Sequence, residues 1–341
     1  MVLVTGGTGL VGAHLLLELL EKGVEVTAVK RKTSDVEKVK KIFSYYKKDA
    51  RSYFSKIQWV DVDLMSLSSV VEACTGMHHV YHCAAFISFN PSDKRTMLLN
   101  NITGAANVVD ACLATDVKKL CHVSSVAALG DPAENEEINE KTLWKSGKDR
   151  SSYAVSKFKS EMEVWRGTCE GLNAIIVNPS VILGPGNWKA GSASIVENIY
   201  KGLKFYPPGK TGFVDVRDVV NAMVMLMESN KTNERYILNA ENAFYKDVFT
   251  KIAKKLRKPE PGIRVNTFMA GLAWRGAWLA SKLTGKKPSI TKETADAGFN
   301  IKTYANNKIK DAMNFNFRDL DETIDFVTQM YLSNKQKNKK K

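Results

Sequence analysis

Short apolar runs alternate with longer amphipathic segments through the first half of the chain. The runs have the length and β-branched composition of buried strands, whereas the segments between them repeat their apolar residues at helical spacing. Six strands are predicted, in the segments VLV, VEVTAV, KIQWVDVDL, HHVYHCAA, KLCHVSSVAALG and LNAIIVNPSVILGPG. This alternation predicts an α/β fold with a doubly wound parallel sheet.

The first predicted turn is rich in glycine. Gly6, Gly9 and Gly12 form a G-x-x-G-x-x-G pattern. The strand Val2–Val4 precedes this pattern, the helix Ala13–Leu20 follows it, and a second strand comes next. A pyrophosphate must approach the backbone amides and the helix N-terminus closely, and a Cβ atom would block it. The pattern therefore predicts a dinucleotide-binding βαβ unit, the start of a Rossmann fold.

Basic residues end the second strand. NAD-binding units usually place Asp or Glu here to hold the ribose 2′-hydroxyl, whereas this chain has Lys30, Arg31 and Lys32. A guanidinium or ammonium group pairs with a 2′-phosphate, which a carboxylate would repel. We therefore expect NADP as the cofactor, with NAD as the alternative. In the other interpretation these residues only begin the basic helix that follows.

The carboxyl ends of the later strands carry small and polar residues. These are Asp63 and Leu64 at the end of the third strand, Ala84 and Ala85 at the end of the fourth, Ser124 and Ser125 at the end of the fifth, and Pro179 at the end of the sixth. Ligands of doubly wound sheets bind beyond the strand carboxyl ends. We therefore expect these positions to converge on one crevice.

A tyrosine and a lysine lie one turn apart in the helix predicted over 152–166. Tyr153 and Lys157 share a face, because residues four apart are neighbours on a helix. A phenol beside an ammonium group has a lowered pKa and can exchange a proton with a substrate hydroxyl or carbonyl. A serine at the end of the fifth strand can reach the same crevice and orient the substrate oxygen. The glycine-rich unit and the Ser-Ser strand end favour this interpretation over an ordinary surface pair.

All these segments occur in the order of a known family. The segments TGGTGLVG, DVDL, HCAA, NNITGAANVV, VSSVAALG, YAVSK, NPSVILGPG and GFVDVRDVVNAM span roughly residues 1 to 225. Through them the chain resembles the extended short-chain dehydrogenases/reductases. The resemblance implies a catalytic triad of Ser125, Tyr153 and Lys157, assisted by Asn101, with Ser124 as the alternative serine. It also implies a smaller, mostly helical C-terminal substrate domain.

The expected cofactor-binding residues lie in the glycine turn, after the second strand and at the later strand ends. They are Gly6, Thr8, Gly9, Leu10, Val11, Gly12, Lys30, Arg31, Lys32, Asp63, Leu64, Cys83, Ala84, Ala85, Ser124, Lys157, Pro179 and Val181.

Within the family, the chain resembles the dihydroflavonol-reductase-like and 3β-hydroxysteroid-dehydrogenase-like branches. This implies NADP-dependent reduction of a carbonyl of a small organic substrate, or oxidation of the matching alcohol. A nucleotide-sugar epimerase or dehydratase with tightly bound NAD(P) is the alternative. Such enzymes commonly carry arginines after the G-P-G turn, where this chain offers Lys189. A non-catalytic NADP-binding sensor is a second alternative, which the retained triad disfavours.

The strand pattern loosens beyond the G-P-G turn. We expect residues 1–180 to form the NADP-binding domain and residues 181–330 the substrate-binding region. The chain is expected to re-enter the first domain near 210–240. Residues 331–341 are expected to be a basic disordered tail.

Two features of the second region have open interpretations. The first is a set of four scattered aromatic residues, Trp188, Phe205, Tyr206 and Phe213. They line an apolar pocket or belong to the core, and scattered aromatic residues more commonly belong to the core. The segment FMAGLAWRGAWLASKLTG predicts a short helix that covers the pocket, packs in an interface or touches a membrane. Its length and Arg275 argue against a membrane span.

The net charge of +14 raises the question of nucleic-acid binding. The basic residues cluster between Lys30 and Lys56 and in the terminal tail, and neither cluster carries a helix-turn-helix, RNA-recognition or zinc pattern. We therefore expect no nucleic-acid partner and no metal site.

Five scattered cysteines fit a reducing compartment and no disulfide framework. No signal peptide precedes the first strand, and no apolar run reaches the ~20 residues of a spanning helix. A cytoplasmic protein without stable membrane insertion is expected. Its expected partners are a small-molecule substrate and a second copy, because the family resemblance implies a homodimer that pairs the helices 101–114 and 152–166. The apolar faces of this pairing are expected to consist of Val108, Val109, Cys112, Met162 and Trp165.

Overall fold

The computed structural model describes residues 1–132, 136–145, 147, 150–284, 288 and 290–339. The strands in these ranges are β1 Val2–Thr5, β2 Val26–Lys30, β3 Gln58–Asp61, β4 His79–His82, β5 Lys119–Val123, β6 Ala174–Pro179, β7 Val181–Leu183, β8 Phe205–Tyr206, β9 Lys210–Asp215, β10 Glu234–Leu238, β11 Glu241–Phe244 and β12 Ile263–Arg264. The α-helices are α1 Leu10–Glu21, α2 Glu37–Phe43, α3 Ala50–Ser55, α4 Leu67–Cys74, α5 Lys94–Ala114, α6 Ser152–Cys169, α7 Ser194–Tyr200, α8 Val216–Glu228, α9 Tyr245–Lys255, α10 Thr267–Thr284, α11 Lys292–Ala297, α12 Asn307–Met313 and α13 Leu320–Lys339.

Seven parallel strands form the main sheet, in the order β10-β6-β5-β4-β1-β2-β3. The predicted doubly wound parallel sheet is confirmed. The chain runs outward from β1 through β2 to β3 and then crosses to β4 on the other side of β1. Because the strand order reverses here, the carboxyl ends of β1 and β4 border the crevice in which such sheets bind ligands. The last strand, β10, pairs with β6 and so returns the chain to this sheet after residues 181–233.

Successive side chains of the strands enter two separate apolar cores. Val4 packs in one core with Leu16 of α1 and Met223 of α8. The neighbouring residue of β1, Leu3, packs in the other core with Val109 of α5. A strand points alternate side chains to opposite faces, so helices cover the sheet on both sides.

A third core stabilises the C-terminal region. There the three-stranded sheet β11-β9-β7 packs with α7, α9 and α13. Trp188 and Phe213 are buried in this core, so the pocket interpretation is wrong for both of them. Phe205 is exposed in β8, which pairs with β12.

The predicted disordered tail is wrong for the described residues, because α13 continues to Lys339. Ile324, Val327 and Tyr331 recur at helical spacing and are buried in the third core. This apolar stripe holds the basic segment as a helix against the body of the protein. The last two residues of the chain lie outside the described residues.

Two site residues occupy different positions in their elements than expected. The helix α5 begins at Lys94, so Asn101 lies in its third turn rather than near its start. The strand β3 ends at Asp61, so Asp63 lies in the turn beyond it. Element ends depend on caps and tertiary contacts, and these are the least visible features of an apolar pattern.

Candidate active site

Two glycines, Gly6 in the turn between β1 and α1 and Gly12 in the first turn of α1, leave no room for a side chain. Gly6 has a φ angle of +69°, and a Cβ atom there would lie 2.6 Å from the Ala84 nitrogen. A Cβ atom at Gly12 would lie 2.3 Å from the Gly6 carbonyl oxygen. The Gly9 amide donates to that same oxygen at 2.9 Å. The turn therefore lies against the end of β4, and the N-terminus of α1 opens on the crevice where a pyrophosphate fits.

The other residues around this turn that were predicted to contact the cofactor are at least partly accessible to solvent. Gly9 is exposed, and Thr8, Leu10 and Val11 are half-buried. A Cβ atom at Gly186, in the loop after β7, would lie 2.9 Å from Leu10 Cδ1. Leu10 therefore joins the glycine turn to the G-P-G loop.

The three basic residues after β2 do not share one environment. Lys30 forms an ion pair with Asp61 at the end of β3. Arg31 and Lys32 are exposed, and the Arg31 amide donates to Ser34 Oγ at 3.1 Å in a tight turn. Lys30 is therefore paired with a carboxylate, whereas the side chains of Arg31 and Lys32 are open to solvent.

Contacts with backbone groups fix the turn after β3. Asp63 Oδ1 accepts from the Met65 amide at 3.0 Å, and the Leu64 carbonyl accepts from Asn107 Nδ2 at 2.8 Å. Asp63 remains exposed and Leu64 half-buried. Both residues lie beyond the carboxyl end of β3, at the edge of the sheet where the ligand is expected.

The segment after β4 is held to β1. The Cys83 amide donates to the Thr5 carbonyl at 3.2 Å, and the Ala84 amide donates to Thr5 Oγ1 at 3.3 Å. Cys83 and Ala84 are half-buried, and Ala85 is exposed. Because all three side chains are small, a ligand can lie across this edge of the sheet.

Asn101 anchors the same segment from α5. Its Nδ2 donates to the Phe86 carbonyl at 3.0 Å and to Ser156 Oγ at 3.2 Å, and its Oδ1 accepts from the Phe86 amide at 2.7 Å. Asn101 is buried. These contacts occupy both ends of its amide group, so in this structure Asn101 positions the loop beside the crevice.

Ser125, Tyr153 and Lys157 come together at the carboxyl ends of β5 and β6. Ser151 Oγ accepts from the Ala154 amide at 3.0 Å and caps α6, which places Tyr153 in the first helical turn. Desolvation raises the pKa of Tyr153, and a hydrogen bond with the Ser125 hydroxyl lowers the pKa in part. Lys157 is buried and donates from Nζ to the Val123 carbonyl at 2.8 Å.

The expected lowering of the Tyr153 pKa by Lys157 is not what this geometry produces. Desolvation dominates both groups: it raises the pKa of the Tyr153 phenol and lowers the pKa of the Lys157 ammonium to about 8. Helical spacing correctly brought the two residues to one face. However, the lysine head group bonds to the Val123 carbonyl of β5, whereas the phenol hydrogen-bonds with the Ser125 hydroxyl.

The two candidate serines point to different groups. Ser124 is buried and donates from Oγ to Glu161 Oε2 at 2.8 Å. Ser125 is half-buried and lies beside Tyr153, so the geometry favours Ser125 as the serine of the triad. Ser124 contributes to the support behind the site.

Glu161 organises that support, and sequence reasoning missed it. Its carboxylate is fully buried and accepts from Ser124 Oγ, Asn178 Nδ2, Trp165 Nε1 and Arg235 Nη1 at 2.8 to 3.3 Å. Asn178 Nδ2 also donates to the Ser125 carbonyl at 3.0 Å. The available signal was spacing, because Glu161 lies one turn after Lys157 on the same face of α6.

The end of β6 completes the crevice. Pro179 is the last residue of β6 and is buried, and Val181 begins β7 and is half-buried. Between them the Ser180 amide donates to the Leu238 carbonyl at 3.0 Å. Pro179 and Val181, which were both predicted to contact the cofactor, therefore lie at the carboxyl edge of the sheet.

Phe89 borders the triad and was not predicted. Its ring lies 5.8 Å from the Tyr153 ring in an edge-to-face arrangement. Phe89 and the neighbouring Ile87 both remain exposed. The loop after β4 therefore places apolar surface beside the phenol, where an organic substrate fits.

Known proteins are similar to this chain in sequence and in fold. The family model of the NAD dependent epimerase/dehydratase family matches residues 2–239. A putative dihydroflavonol 4-reductase from Synechocystis sp. is 29% identical over 300 residues, which cover 84% of this chain and 81% of that protein. The crystal structure of gox2253 has a TM-score of 0.80 at 26% identity and covers 98% of both chains. UDP-glucose 4-epimerase from Thermotoga maritima is similar in fold. Its structure has a TM-score of 0.76 at 18% identity, and the match covers 98% of this chain and 99% of that one.

The match covers the glycine turn, the strand ends and the helix that carries Tyr153 and Lys157. It confirms the resemblance drawn from the sequence segments. The chain is therefore an oxidoreductase that belongs to the NAD-dependent epimerase/dehydratase family of extended short-chain dehydrogenases/reductases.

Proposed function

We propose that this protein reduces a carbonyl group of a small organic substrate with NADPH, or oxidises the matching alcohol. The observation that carries this proposal is the meeting of the Ser125 and Tyr153 hydroxyls beside the buried Lys157 ammonium group. These groups lie at the carboxyl edge of a sheet whose glycine turn fits a dinucleotide. The reductase name of the Synechocystis relative supports the same reaction class.

The residues of the site have separate roles in this mechanism. Bound NADPH supplies the hydride from nicotinamide C4. Ser125 orients the substrate oxygen by a hydrogen bond, and Tyr153 donates the proton in reduction or accepts it in oxidation. An ammonium group has three donors, so the Val123 contact leaves Lys157 two protons for the ribose and for the site.

The proposal is tested with a panel of ketones, aldehydes and alcohols and both cofactors, followed by nicotinamide absorbance. Multiple turnovers of NADPH with a carbonyl compound support it. Inversion of a sugar nucleotide without net cofactor turnover would establish the epimerase alternative. Cofactor binding without turnover of either class would indicate a sensor.

We expect tighter binding of NADP than of NAD, by about tenfold or more, because a charge-assisted contact with the 2′-phosphate contributes ~1.5–3 kcal/mol. Titration with both cofactors measures the ratio. The double variant Arg31→Gln/Lys32→Gln should lose this preference. Lys22→Gln is the matched control, since Lys22 is exposed at the far end of α1. Equal affinities of the unaltered protein for both cofactors would refute the prediction.

We also propose a homodimer that pairs α5 and α6. The expected contribution of Val108, Val109 and Cys112 is wrong, because all three are buried in the core of their own subunit. Met162 of α6, which the prediction included, is exposed, and so is Leu99 of α5, which it did not include. Light scattering at micromolar concentration should give the dimer mass, and Leu99→Lys should shift it toward the monomer. The control is Ile263→Lys in β12, and a monomer in the unaltered protein would contradict the proposal.

A further inference from the structure

The helix α10 (Thr267–Thr284) presents its large apolar side chains to solvent. Phe268, Leu272, Leu279 and Leu283 are 73%, 58%, 55% and 80% exposed. Their separations of four, seven and four residues place them on one side of the helix. The outward face of α10 is therefore a continuous apolar stripe about four turns long.

The opposite face of α10 carries the contacts with the rest of the protein. Ala270 is buried, and Trp274, Ala277 and Ser281 are half-buried, on the side that packs toward α11. Three of these four side chains are small. The usual amphipathic pattern of a surface helix is therefore inverted, since most of the large apolar groups lie outside.

The charges of α10 are all positive. Residues 267–284 include Arg275 and Lys282 and no Asp or Glu. At 100° per residue both cations project beside the apolar stripe. Arg275 Nη1 donates to the Gly271 carbonyl at 3.0 Å, and Arg275 and Lys282 each lie over a tryptophan ring. These partners are uncharged, so both positive charges can attract an anionic surface.

We propose that α10 docks in the interfacial layer of a bilayer that contains anionic lipid. The stripe would enter the boundary between head groups and acyl chains, and Arg275 and Lys282 would contact lipid phosphates. Charge complementarity favours this occupant over a second copy, because pairing two α10 helices would bring four cations together. Among the helices that the structure describes, none is long and apolar enough to cross a membrane. The docking is therefore peripheral.

Sedimentation of the full chain with vesicles tests the proposal. The vesicles contain phosphatidylcholine alone or phosphatidylcholine with phosphatidylserine. We expect binding to the mixed vesicles that weakens as salt increases. Leu272→Ser/Leu279→Ser should weaken binding at least about tenfold, because each leucine loses apolar surface transferred from water. Arg275→Gln/Lys282→Gln should weaken it about thirtyfold on the mixed vesicles only, because each basic residue near an anionic surface contributes about fivefold.

Leu67→Ser is the matched control, because Leu67 is an exposed leucine on a different helix, α4. It should bind like the unaltered protein, and thermal unfolding should show that all variants are folded. Absence of binding to both vesicle types would overturn the proposal. So would unchanged binding of the double leucine variant. A drop in the oligomeric mass of that variant without vesicles would also overturn it, in favour of a second copy as the occupant.

Discussion

Replacing Tyr153 with phenylalanine is expected to lower kcat by ~10²–10⁴, the usual contribution of general acid–base catalysis. The substitution removes only the phenolic hydroxyl that faces Ser125. The ring remains, and with it the edge-to-face contact with Phe89. The fold and the affinity for NADP should therefore survive. Initial rates of NADPH oxidation with a substrate from the carbonyl panel measure the loss.

A second tyrosine provides the control for this experiment. Tyr200→Phe removes a hydroxyl from the third core, where the Tyr200 ring packs edge-to-face on Tyr331. It should leave kcat near that of the unaltered enzyme. Near-normal turnover of Tyr153→Phe would show that another group exchanges the proton. A loss of NADP affinity in parallel with kcat would show instead that the variant disturbs the cofactor site.

Replacing Glu161 with alanine is expected to reduce the free energy of unfolding by about 3 kcal/mol, the lower end of the range for breaking a buried ion pair. The Glu161 carboxylate is fully buried, and Arg235 lies 3.0 Å away with a side chain that is 16% exposed. Without Glu161, the donors of Ser124 and Asn178 also lose their acceptor. Arg235 keeps its bonds to the Glu140 carbonyl at 2.8 and 2.6 Å, which limits the loss. The midpoint and slope of urea unfolding measure the change.

Glu163→Ala, on the same helix, is the matched control. Glu163 pairs with Arg166 at 3.0 Å, and its side chain is 29% exposed. A pair of this kind contributes about 0–1 kcal/mol. If Glu161→Ala costs no more than Glu163→Ala, the network behind Ser125 does not stabilise the fold.

Local patterns in the sequence determined the elements of this fold and half of its candidate site. Apolar runs predicted six of the seven strands of the parallel sheet, because period and length report which positions face a core. The seventh strand, β10, was expected only as a return of the chain near 210–240. The spacing of Gly6 and Gly12 predicted the glycine-rich turn. Glycine is needed at both positions because a Cβ atom there would collide with neighbouring backbone atoms. Tyr153 and Lys157 were found by their spacing of four, which sets a common helix face without any tertiary information.

Tertiary structure alone decided which of several similar residues meet the crevice. Ser124 and Ser125 are adjacent and chemically identical, and their partners distinguish them in the structure, since Ser124 bonds to Glu161 and Ser125 to Tyr153. Likewise, Lys30 is indistinguishable from Arg31 by charge until β3 brings Asp61 beside it. These choices depend on contacts between residues far apart in the chain, which no local period encodes.

Two helices of the C-terminal region, α10 and α13, show the same limit of prediction from local sequence. The apolar stripe of α10 predicted a helix, and only packing decided that the small residues face inward and that Leu272 and Leu279 face solvent. The basic composition after residue 330 predicted disorder, yet Tyr331 is buried in the third core and α13 continues to Lys339. Composition reports the average polarity of a segment, whereas burial of a single stripe against a neighbouring element determines whether that segment is ordered.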